Sequence, residues 1–139
     1  MTQAHDRYRQ YLESLTPEAL GRLGDYVSSD VRFKDPFNDV HGVDAMARVF
    51  RHMFETVKDI RFHVTHAAST GNICLMAWRF EGRIGGRPWA FDGTSVVTFA
   101  ADGRVSEHID YWDAARDFYE RLPVIGWLLA RIRRRLAAR

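Results

Sequence analysis

The sequence predicts an α+β domain in which short N-terminal helices fold against a cone-shaped, curved antiparallel sheet and enclose a small-molecule pocket. Three observations lead there. Helical periodicity is confined to the first 56 residues and the C-terminus; four runs of strand-like alternation follow one another between about 59 and 112; and no repeat, linker or composition break divides them. With 139 residues, 46% hydrophobic and 13% aromatic, the chain can bury one real core, so a single domain over 1–139 is expected.

Residues 3–27 read as two short helices broken near Thr16-Pro17-Glu18, where Thr16 can cap the second and Pro17 suits its first position. Val31 to Phe37 alternates apolar and basic residues at the period of a half-buried strand, which Pro36 ends. A turn at 38–42 precedes a third helix over 43–56, whose Met46, Val49, Phe50, Met53 and Phe54 recur at helical spacing. Strands are then expected at about 59–68, 72–82, 87–100 and 104–112. A hairpin at Gly85-Gly86 and a turn at Asp102-Gly103 punctuate them into an antiparallel meander.

Alternation sorts the polar residues by face. Asp35 shares the apolar face of Val31 and Phe33; there it is either a desolvated proton acceptor or the cap of the turn that follows. On the last strand His108, Asp110 and Trp112 face one way and Val105, Ile109 and Tyr111 the other, so His108 and Asp110 form either an acid–base couple or a structural hydrogen bond. Ser95 lies on the aromatic parity of Trp89, Phe91 and Phe99, as a donor to a ligand or a satisfied core hydroxyl. Trp78 shares a face with Cys74, Met76 and Phe80, a core pattern.

Composition excludes other classes. The histidines show no metal-ligand spacing, and there is no HExxH or CxxC, so no metal is expected. Gly82 to Arg87 is a hairpin rather than a strand-to-helix phosphate loop, and no cofactor is expected. The lone Cys74, in an apolar run, is expected to be a buried thiol. No run approaches the ~20 apolar residues of a spanning helix, and the first ten residues have no apolar signal segment, which suggests a cytoplasmic protein.

The net charge of +2 is uneven. Residues 121–139 hold six arginines (121, 131, 133, 134, 135 and 139) and no acid, leaving 14 basic against 18 acidic side chains elsewhere, a net of −4. Ile125, Leu128, Leu129, Ile132 and Leu136 recur at helical spacing, so about 121–139 is expected to be a basic amphipathic helix. Its apolar side is expected to cover the pocket mouth or a dimer seam, with Leu122 to Trp127 as a docking turn; contact with an anionic membrane surface is the alternative. Nucleic acid is not an expected partner, because the rest of the chain is acidic and no aromatic residues alternate with basic ones.

Residues ~5–115 resemble the nuclear transport factor 2-like superfamily, and within it the ketosteroid isomerases and SnoaL-like polyketide cyclases. The resemblance rests on Phe33-Lys34-Asp35-Pro36-Phe37 with His41-Gly42, and on Ala90 to Phe99 followed by Asp102 to Val105 and Tyr111-Trp112. It implies Asp35 as general base, a donor tyrosine on the first helix (Tyr11 by spacing, or Tyr8), and Ser95 where those isomerases keep the neutral acid paired with that tyrosine. It further implies His108 and Asp110 as a second polar cluster, and Phe33, Phe50, Phe54, Trp78, Ser95 and Trp112 as ligand-contacting residues. The function implied is that of a homodimeric, cofactor-independent isomerase, cyclase or hydrolase, acting by proton transfer next to a carbonyl on an apolar or polyketide-like ligand. A non-catalytic binding or assembly module is the competing reading.

Overall fold

A computed structural model describes residues 2–138. Helix α1 (Thr2–Glu13) is followed by a 3-10 helix (Glu18–Asp25), strands β1 (Val27–Lys34) and β2 (Asp39–His41), and helix α2 (Val43–Thr56). Strands β3 (Lys58–Thr70), β4 (Ile73–Ile84), β5 (Arg87–Phe99) and β6 (Val105–Tyr111) then run in succession. Helix α3 (Ala114–Asp117), a second 3-10 helix (Tyr119–Arg121) and helix α4 (Ile125–Leu136) follow.

The mixed helix–sheet architecture is the expected one. Thr16 Oγ1 accepts from the Ala19 backbone amide, as its capping role requires, but the segment it opens is a 3-10 helix rather than an α-helix. Gly21 and Gly24 punctuate that segment, and its Ala19, Leu20 and Leu23 are buried. The β1 strand begins four residues earlier than the alternation suggests and ends at Lys34, because Asp35 already belongs to a tight turn closed by Asp35 N–H to Asn38 C=O (2.9 Å). The expected loop after it contains β2, paired antiparallel to β1.

The sheet order is β2-β1-β6-β5-β4-β3. β3 to β6 form the antiparallel meander, whereas β1 joins its far side parallel to β6, so the sheet is mixed at that one seam. Register shifts in β1, β3 and at the β5–β6 pairing mark bulges, which bend strands and increase twist. The last of these overturns one alternation. Phe99 pairs with Val105 but Thr98 with Glu107, so Ser106 is the extra residue and Val105, expected on the outer face, is buried.

The concave face carries the core. At one end α1 and the 3-10 helix close it with Tyr8, Leu23, Val27, Val97, Phe99 and Val105, each at most 3% exposed. Cys74 is buried there too, and burial raises its thiol pKa. At the other end α2 stands off the sheet, and the space between them is the cavity described next.

Candidate active site

Two adjacent strands place the polar groups. The parallel register matches Arg32 with Glu107, Phe33 with His108 and Lys34 with Ile109. Just beyond this ladder lie Asp35, the first residue of the turn after β1, and Asp110 of β6, near enough for the Asp110 charge to act on Asp35. Both line a cavity of about 500 Å³ whose other walls are largely aromatic. Phe33 and Phe50 are in tilted contact at 5.2 Å, and Phe91 stacks on Trp112 at 4.3 Å.

Asp35 does two things at once. Its Oδ1 accepts from the backbone amides of Phe37 (2.8 Å) and Asn38 (2.7 Å) and from Asn38 Nδ2 (3.1 Å), so it does cap the turn. Its Oδ2 has only the longer Asn38 Nδ2 contact, 3.3 Å. Burial pushes the carboxyl above its ordinary pKa, the turn's hydrogen bonds pull it back in part, and the Asp110 charge pushes it up again. The net direction is upward, towards a stronger proton acceptor.

Asp110 is held from behind by a buried chain. Trp78 Nε1–H donates to Ser95 Oγ (2.8 Å), and Ser95 donates to Asp110 Oδ1 (2.5 Å). His108 Nε2 meets the same oxygen at 2.7 Å, and His108 Nδ1 meets the Tyr8 hydroxyl at 2.7 Å. A carboxylate only accepts, so His108 Nε2 donates to Asp110; in the neutral imidazole Nδ1 then accepts from Tyr8, and every member of the chain is satisfied. All its donors run towards Asp110. Asp110 Oδ2 has no hydrogen-bond partner among the described residues. Tyr8 is enclosed, and burial, with the Asp110 charge behind it, raises its phenol far above the ordinary value, so it stays a neutral donor.

Of the expected site residues, Asp35, His108, Asp110, Phe33, Phe50, Phe54, Trp78 and Trp112 line the cavity. Two expected donors do not. The Tyr11 hydroxyl donates to the Ala19 carbonyl (2.8 Å) while its ring stacks on Tyr26, because the phase of α1 turns it towards the 3-10 helix; Tyr8 is the residue that reaches the sheet. Ser95 is 2% exposed with both its hydrogen-bonding roles taken, the satisfied core hydroxyl of the two alternatives.

Other lining residues went unassigned. Trp89 and Phe91 had the right parity, and Ile60 and Phe62 stand on the inner parity of β3, signals that could have found them. Phe118 and Tyr119 come from the segment after β6, which has no periodicity to read. Trp89 Nε1 donates to the Asp117 carbonyl (2.6 Å) and pins that segment, so Phe118 packs on Phe37 at 5.2 Å over the mouth. Among the described residues no group of three or more His, Cys, Asp or Glu side chains is placed to hold a metal ion.

Comparison with known proteins adds a family and a fold. A SnoaL-like domain model matches residues 8–108. No curated protein matches the chain in sequence. Among solved structures, a nuclear transport factor 2-like protein of unknown function from Exiguobacterium sp. 255-15 superposes with a TM-score of 0.68 at 23% identity, covering 79% of this chain and 98% of its own. A Catenulispora acidiphila protein with a ketosteroid isomerase-like fold, in complex with trimethylamine, gives 0.69 at 15% identity over 82% and 88%. An epoxide hydrolase of the LEH-like type from M. tuberculosis gives 0.67 at 20% identity over 99% and 93%. At these identities the likeness is one of fold.

Proposed function

The chain belongs to the SnoaL-like domain family, and on that premise we propose that it is an acid–base enzyme that takes a proton from the carbon next to a carbonyl in a small, mainly apolar compound. The observation that carries this reading is that Asp35, in the turn after β1, and Asp110, on β6, line one aromatic cavity and interact electrostatically. Asp35 is the acceptor. Its proton uptake is favoured twice, because the neutral carboxyl suits its apolar surroundings and no longer repels Asp110.

Asp110 is held in place by Ser95 and His108, which both hydrogen-bond its Oδ1. Its Oδ2 accepts a hydrogen bond from a hydroxyl of the substrate and so orients the reacting carbon towards Asp35. The two donors expected for a carbonyl oxygen turn elsewhere, Tyr11 to Ala19 and Ser95 to Asp110, so the pair presents acceptors to the ligand. That arrangement suits carbon acids that spread the resulting charge themselves. Enolisable 1,3-dicarbonyl compounds of polyketide type are the substrate class, and isomerisation or ring closure is the outcome.

The test is exchange of the activated C–H of cyclic and aromatic 1,3-dicarbonyl compounds in D2O, followed by proton NMR. The wild type accelerates exchange; Asp35→Asn loses about a hundredfold or more of the acceleration, and Asp110→Asn a smaller part. Wild-type exchange no faster than that of Asp35→Asn across the series would refute the assignment.

A further inference from the structure

Helix α4 is unlike the rest of the molecule. Ile125, Leu128, Leu129, Ile132 and Leu136 form one stripe at i, i+3, i+4, i+7 and i+11, yet Ile125, Leu128, Ile132 and Leu136 are 57%, 52%, 47% and 82% exposed. The sequence leads us to expect this side against the pocket mouth or a dimer seam; Phe118 and Tyr119 line the cavity, and no residue of the stripe does. The turn before α4 does not dock either, with Val124 82% exposed. What holds the helix is the preceding segment. Arg133 Nε pairs with Glu120 Oε2 at 2.8 Å, and Gly126 packs on the Glu120 backbone so closely that a Cβ there would overlap it.

Arginine lies on both sides of the stripe. Arg135 borders one edge and Arg133 the other, while Arg131 and Arg134 stand opposite, all within a C-terminal segment that contains no acid. Trp127, 60% exposed, sits on the polar side with Arg131 over its ring at 5.5 Å. An apolar stripe flanked by arginines matches a surface that is apolar inside and anionic at its rim. A protein groove would have to supply an acid for each of several arginines. A second copy packed stripe to stripe would bring together two C-terminal segments that each hold six arginines and no acid.

We propose that α4 lies in the plane of an anionic lipid surface, with the Ile125-Leu128-Leu129-Ile132-Leu136 stripe in the acyl boundary and Arg131, Arg134 and Arg135 at the headgroups. Twelve residues rise only ~18 Å, so the helix lies on the bilayer and does not cross it. The Phe118-Tyr119 mouth, tied to α4 through Glu120, then stands beside the membrane, where an apolar ligand concentrates. Membrane contact does not depend on what the cavity catalyses.

Flotation of the full chain tests this, using vesicles of phosphatidylcholine mixed with phosphatidylglycerol and vesicles of phosphatidylcholine alone. The chain is expected to float with the mixed vesicles at least about tenfold better than with the neutral ones, and less well as salt rises. R131E/R134E/R135E should weaken binding by about a hundredfold or more. L128Q/I132Q should abolish it, with far-UV circular dichroism unchanged in both variants. Equal recovery from the two vesicle types, or wild-type flotation by either variant, overturns the proposal. So does light scattering that shows an oligomer dissolved by L128Q/I132Q, because a second copy would then be the occupant.

Discussion

Asp35 illustrates how one side chain can satisfy two readings that compete on paper. The Asp-Pro sequence invites a turn cap, and alternation invites a carboxylate on the apolar face; the structure has Oδ1 in the turn and the carboxyl in the cavity wall. The second role has a thermodynamic cost that can be read. Asp35's pKa is raised in the fold, chiefly by burial, so its neutral form is the better tolerated one. Its contribution to stability is complete at pH values below the unfolded carboxylate pKa and is lost as pH rises through the folded value. Asn at this position keeps the acceptor oxygen of the turn and never ionises. Asp35→Asn is therefore expected to melt a few degrees above the wild type at neutral pH, with the gap closing on acidification to about pH 3. Thermal melts across pH check this; a variant less stable than wild type at every pH would mean that the turn's charge-assisted bonds dominate.

Tyr8 and Tyr11 mark where reading single residues stopped working. They lie three apart on α1, both buried, and nothing local says which one faces β6; the choice depends on how the helix is rotated over the sheet. For Ser95 the parity was legible and the partner was not, because its bond to Asp110 crosses from β5 to β6 in a register fixed by the whole meander.

Among the elements, β4 and β5 show how a missing side chain builds a site. Gly93 pairs opposite Trp78, whose indole lies so close that a Cβ on residue 93 would overlap three of its ring atoms. Only this approach lets Trp78 Nε1 reach Ser95 and so brace Asp110. Gly93→Ala gains backbone entropy but must displace Trp78, and the crowding dominates, with an expected cost of about 1–3 kcal/mol. Gly21→Ala, which meets open space, is expected to be neutral or slightly stabilising. Denaturant melts of the two variants decide it. If Gly93→Ala were as stable as Gly21→Ala, the indole would not be locked where we place it.

Elements with strong period were legible: α2 over 43–56 falls where its apolar spacing put it, and the four meander strands lie within about two residues of the expected bounds. Short or irregular elements were not. β2 has three residues and no pattern to detect, and the bulge at Ser106, which turns Val105 inward, leaves no mark in composition.

For the molecule as a whole, the decisive fact is a pairing between chain segments some 75 residues apart. Parallel alignment of β1 with β6 brings Asp35, just past the end of β1, into one cavity with Asp110, and neither residue's neighbours in sequence announce it. The helices and meander were legible because periodicity is local; the seam that makes the site is not local, and only the family resemblance pointed to the same end of the sheet. The C-terminal helix is the converse case. Its amphipathic character was plain in the sequence, while its exposed stripe shows that it does not cover the cavity, one of the two places expected for it.

The central claim is that the basicity of Asp35 is made by its apolar cavity and by the neighbouring Asp110 charge. Carboxyl carbon NMR of selectively labelled protein measures it directly, by titrating Asp35 in the wild type and in Asp110→Asn. Asp35 is predicted to titrate above the ordinary ~3.9 of aspartate in the wild type and to move down in Asp110→Asn. An Asp35 that titrates at or below the ordinary value, unmoved by loss of the Asp110 charge, would contradict the account.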